Sequence, residues 1–75
     1  PMKSRSQIDT ELRHLQQRLQ ALRADLPPDE AREAFAREAE PLTADPPAEL
    51  DAYIQGRIHT MLVEAGLIED ESPTG

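Results

Sequence analysis

The stretch IDTELRHLQQRLQALRADL, from Ile8 to Leu26, places a large apolar residue at Ile8, Leu12, Leu15, Leu19, Leu22 and Leu26. Steps of four, three, four, three and four keep these side chains on one narrow stripe of an α-helix. That is the two-in-seven seam of a coiled coil rather than the broader face of most globular helices. The surrounding residues are strong helix formers, and neither Gly nor Pro interrupts the chain between Lys3 and Leu26. A first helix over residues 4–26 follows, with Ser4 or Ser6 as its cap. The stripe suits either the buried side of a small bundle or a seam between chains. Leu15→Asp or Leu19→Asp separates the two readings.

Pro27 and Pro28 end this helix, because a residue preceding proline is pushed out of the helical region. Pro28 then occupies a first helical position, with Asp29 and Glu30 placed well for the positive end of the next dipole. The second helix, 28–40, is short and Ala-rich, with Ala31, Ala34, Phe35 and Ala39 as its inward side and Pro41 as its expected stop. About three turns are marginal alone in water, so this helix needs neighbours.

A third helix is expected over 46–65, capped by Asp45 with Pro46 in the first position. Its end is written in MLVEAGLIE: Gly66 stands where a left-handed residue is wanted, and Leu67 can fold back on Leu62. At 100° per residue, Leu50, Ile54, Ile58, Met61, Leu62 and Ala65 form a core side. Ala52, Gly56, Thr60 and Val63 make a thinner stripe opposite, flanked by Tyr53. Glycine in mid-helix costs about 1 kcal/mol relative to alanine, so Gly56 asks for a reason, and close approach of another backbone is one.

The fold class expected is therefore all-α: a three-helix domain over residues 1–68 that self-associates, followed by a disordered acidic tail over 69–75. Seventy-five residues without cysteine leave self-association as the ready route to more buried area. The expected interface joins Ile8, Leu12, Leu15, Leu19, Leu22 and Leu26 with Ala52, Tyr53, Gly56, Thr60 and Val63. A homodimer or higher oligomer is the corresponding assembly.

The net charge of −7 is unevenly spread. Up to Ala24, five basic side chains face two acidic ones, for +3; from Asp25 onward, three face thirteen, for −10. A basic first helix and an acidic remainder favour docking of one on the other, and disfavour nucleic acid or an anionic membrane as the partner of the whole molecule. No apolar run is long enough for a membrane span or a signal-peptide core, so the expected compartment is the cytoplasm, and the Ala-, Arg- and Pro-rich composition suggests a bacterial source.

Chemistry is hard to place in this chain. His14 sits beside Arg13 and near Arg18, and His59 has Gln55 and Val63 four residues away, so neither belongs to a metal-binding pattern. The paired acids fall in solvent-facing runs, and no serine or threonine has a positioned base or a glycine elbow. No cofactor or metal is expected, and the chain reads as a non-enzyme. The function expected is a small interaction module, such as an adaptor, chaperone, immunity protein or regulatory subunit, that binds an unidentified protein partner. The alternative is an acidic nucleic-acid mimic that displays Asp29, Glu30, Glu33, Glu38, Glu40, Glu49 and Asp51 to a DNA- or RNA-binding protein.

Overall fold

A computed structural model describes residues 3–69; the expected tail beyond Glu69 lies outside the described residues. Three α-helices carry the fold: α1 (Arg5–Asp25), α2 (Pro28–Thr43) and α3 (Asp51–Glu64), with one 3₁₀ turn at Ala48–Leu50. Among the described residues there is no strand.

Helix α1 opens on a capping box. The Gln7 amide donates to Ser4 Oγ at 3.2 Å, and the Ser4 amide donates to Gln7 Oε1 at 2.9 Å, so two orphan helix-end donors are satisfied reciprocally. Leu26, in an extended conformation, closes its other end, and the chain turns back through Pro27. Helix α2 lies antiparallel to α1, which the Arg18–Glu38 bridge fixes midway along the pair. Helix α3 runs in the direction of α1: Tyr53 reaches Asp9 near their starts, and Met61 and Ala65 share a groove with Leu19 and Arg23 near their ends.

One apolar core joins the three helices. Ile8, Leu12, Leu15, Leu19 and Leu22 from α1 meet Ala31, Phe35, Ala39 and Leu42 from α2, and Ile54, Met61, Ala65 and Leu67 from α3 and its end. Each fully buried Leu, Ile or Phe side chain favours folding by about 1.5–3 kcal/mol, so this cluster is the main source of stability. The chain itself therefore satisfies the Leu stripe. Leu12 and Leu19 are 0% and 3% exposed and have no area left for a second copy while the fold is closed. Leu26, the last position of the stripe, is half-buried at the helix end.

Two boundaries differ from the sequence expectation. Helix α2 passes through Pro41 and ends at Thr43. Proline there forgoes one backbone bond, but continuing the helix carries Leu42 into the core at 3% exposure, a gain of the size that offsets the loss. Helix α3 begins at Asp51 rather than Pro46, and Asp45 does not cap it. Pro46 is itself followed by proline, which keeps it out of the helical region, so only a 3₁₀ turn forms before the helix proper.

The end of α3 follows the expectation. Gly66 has φ of +74°, its amide donates to the Val63 carbonyl at 3.0 Å, and the Leu67 amide donates to the Leu62 carbonyl at 3.0 Å. This is a Schellman cap, and it buries Leu67.

Candidate interaction surface

Helix α3 faces three ways, and each way has a different chemistry. Inward, Ile54 and Met61 enter the core, with Leu50, Ile58 and Leu62 partly covered at its edge. Toward α1, Tyr53 is the centre of a polar clasp. Its hydroxyl donates to Asp9 Oδ1 at 2.5 Å and accepts from Arg57 Nη1 at 2.9 Å. The Arg5 guanidinium covers the ring at 3.9 Å from the centroid, a cation–π contact, and its Nε lies 3.6 Å from Asp9 Oδ2. Tyr53, expected as the edge of a docking stripe, thus joins α3 to α1.

Outward, Ala52, Gly56 and Thr60 are exposed, Val63 is half-buried, and His59 and Gln55 flank them in solvent. A Cβ added at Gly56 meets nothing within 4 Å. The close approach that would explain this glycine does not occur among the described residues. The two halves of the expected interface therefore part company: Ile8, Leu12, Leu15, Leu19 and Leu22 are core, whereas Ala52, Gly56 and Thr60 remain an open helix face.

A second clasp holds the far end of α3. Arg32 of α2 donates through Nη1 to the Leu67 carbonyl at 3.1 Å and through Nη2 to Asp29 at 3.3 Å. Between α1 and α2, Arg18 grips Glu38 with both ends of its fork, at 2.6 and 2.8 Å. The Arg18 hydrogen bonds hold the Glu38 carboxyl below its ordinary range, against a smaller opposing effect of burial. Lys3 pairs with Glu11 at 2.7 Å. Two acids of the charge-mimic set, Asp29 and Glu38, are thereby neutralised locally, while Glu30, Glu33, Glu40, Glu49 and Asp51 are exposed and make no ion pair within 4.0 Å among the described residues.

An open cleft of about 390 Å³ lies where α1 begins and α2 ends, with Ile8, Leu42 and Ile54 as its floor, Pro41, Pro46 and Pro47 as its walls, and Lys3 and Asp45 at its rim. Lys3 is already committed to Glu11, whereas the Asp45 carboxylate makes no ion pair within 4.0 Å among the described residues. Among the described residues no polar or charged side chain is buried, and no three His, Asp or Glu side chains gather as a metal site. His14 and His59 both stand in solvent. No described helix is long and apolar enough to cross a membrane.

Comparison with family models, curated proteins and solved structures finds no match to this chain. The fold that stands is a small all-α domain of three helices.

Proposed function

We propose that the protein is a non-enzymatic interaction module that self-associates and binds a protein partner, with the outward face of α3 as its docking surface. One observation carries the reading. A mid-helix glycine with ordinary helical backbone stands on an exposed face between Ala52 and Thr60, where no atom of the described residues needs the space. Its cost in helix stability, about 1 kcal/mol, is offset if another helix backbone packs there. Ala52 and Thr60, one turn to either side, keep the approach equally shallow.

The test is Gly56→Leu. The variant should keep or gain helix content and lose self-association in sedimentation equilibrium. A variant that associates as the parent does would remove this face from the account. The charge-mimic reading rests on the five acids without an ion pair. It predicts a salt-sensitive complex with a nucleic-acid-binding protein, and charge reversal at Glu33 and Glu40 checks it.

A further inference from the structure

Helix α2 ends without the usual means of closing a helix. Its last backbone bond runs from the Ala44 amide to the Glu40 carbonyl, and the carbonyls of Pro41, Leu42 and Thr43 accept none among the described residues. Two of these three are left open by covalent structure: the residues four positions beyond Leu42 and Thr43 are Pro46 and Pro47, which carry no N–H. No glycine in the left-handed conformation follows, and no basic side chain stands in the last turn. The side chains that do donate to backbone carbonyls, Thr10 and Arg32, reach Ser6 and Leu67 instead. The end of α2 is therefore an uncompensated negative pole of the helix dipole.

That pole lies beside the cleft of about 390 Å³, and Asp45 adds a full negative charge at the rim. The Asp45 carboxylate neither caps α3 nor pairs with a cation among the described residues. Lys3, the one cation among the lining residues, is matched by Glu11 at 2.7 Å. Glu40, Glu49 and Asp51, on the elements that flank the cleft, are exposed and equally unpaired. Below this anionic rim, Ile8, Leu42 and Ile54 form an apolar floor between proline walls, so the hollow exists before anything enters it. Its volume falls in the range of roughly 300–1,000 Å³ typical of ligand sites.

We propose that the cleft binds a segment of a foreign protein that carries an arginine or lysine beside a leucine-like side chain. The apolar side chain fills the hollow. The cation stands over Asp45 and the open carbonyls, where its N–H groups replace the donors that Pro46 and Pro47 lack. The net charge of −7 makes a second copy of this chain the poorer occupant. Ile54 is on the inward side of α3 and Gly56 on the outward side, so the cleft and the α3 docking face can be filled together. The proposal rests on the reading that the chain binds a protein partner, and is independent of self-association.

The probe is the capped tripeptide acetyl-Leu-Arg-Leu-amide, titrated into the millimolar range at low salt against the isotope-labelled chain and followed by NMR. Saturable shifts are expected at the methyl groups of Ile8, Leu42 and Ile54 and at the amides of Ala44 and Asp45. Acetyl-Leu-Gln-Leu-amide and acetyl-Gly-Arg-Gly-amide should each bind several-fold more weakly. Asp45→Asn, a change at an exposed side chain, should weaken the parent peptide about threefold to fivefold, as the loss of one surface ion pair does. Asp45→Lys, which supplies the chain's own cation, should abolish binding with helix content unchanged. Equal binding of the glutamine peptide, or an unchanged affinity in both Asp45 variants, overturns the proposal. Shifts confined to Ala52, Gly56 and Thr60 also overturn it, and keep the partner reading by placing the segment on the outward face of α3. No saturable shift anywhere overturns the cleft as a docking site, while self-association through Gly56 is decided separately by sedimentation.

Discussion

Gly56→Ala and Gly66→Ala are the same chemical change, and the structure gives them opposite signs. At Gly56 the backbone is ordinary helix and an added methyl meets nothing within 4 Å, so only helix propensity acts. Alanine should stabilise the isolated chain by about 0.8–1 kcal/mol. For a domain of this size, 1 kcal/mol raises the melting temperature by about 4–8 °C. At Gly66 there is equal space, but φ is +74°, a region that costs a side chain roughly 1–2 kcal/mol. The loss also loosens the cap that seats Leu67 and offers the Leu67 carbonyl to Arg32. Gly66→Ala should therefore lower the midpoint by about 4–16 °C. Thermal unfolding followed by helical circular dichroism, at concentrations low enough to keep the chain monomeric, measures both. A less stable Gly56→Ala chain under those conditions would mean that Gly56 is packed within the fold, and the argument for an open face would fail.

Further predictions follow from the core and the clasps. Phe35→Ala should cost about 3–5 kcal/mol, because the ring is 1% exposed at the junction of the helices, and urea unfolding at low concentration should show the loss. Leu19→Asp should unfold the monomer rather than merely dissociate an oligomer, since an unpaired charge in that site costs several kcal/mol; a folded monomeric variant would return the seam to the surface. Tyr53→Phe removes the hydrogen bonds to Asp9 and Arg57 and should cost about 1 kcal/mol, read as earlier exchange of α3 amides. Glu38 has a depressed pKa in the folded chain, so its contribution is present above the ordinary carboxylate value of about 4.3 and is lost as pH falls through the folded value. Glu38→Gln should be less stable than the parent near neutrality, and the gap should close in acid and shrink in high salt.

Much of this fold was readable before any coordinates. The caps carry local signals: Gly66 followed by Leu67 needs only its neighbours to be understood, whereas the first cap stayed open between Ser4 and Ser6 until the reciprocal Ser4–Gln7 bonds decided it. The apolar stripe of α1 fixed the helix and its inward side for the same reason. What covers that stripe was not readable, because a four–three spacing is met equally by a second copy and by the chain's own Phe35, Ile54 and Met61. Prolines misled when taken one at a time. Pro41 stops a helix unless Leu42 has a core to enter, and Pro46 starts one unless another proline follows it. The Tyr53 clasp joins residues forty-four positions apart, and no local pattern announces such a pair. A tyrosine at the edge of an apolar helix face, with arginine one turn on, was the available hint.

Sedimentation equilibrium of the parent chain and of Gly56→Leu, over about a hundredfold range of concentration, tests the central claim that this is a self-associating interaction module; rising mass in the parent over this range corresponds to dissociation in the micromolar region, near −8 kcal/mol. The account predicts a parent whose mass rises from one chain toward two or more, and a helical variant that stays at one. A parent that remains a single chain throughout, with full helix content, would contradict it.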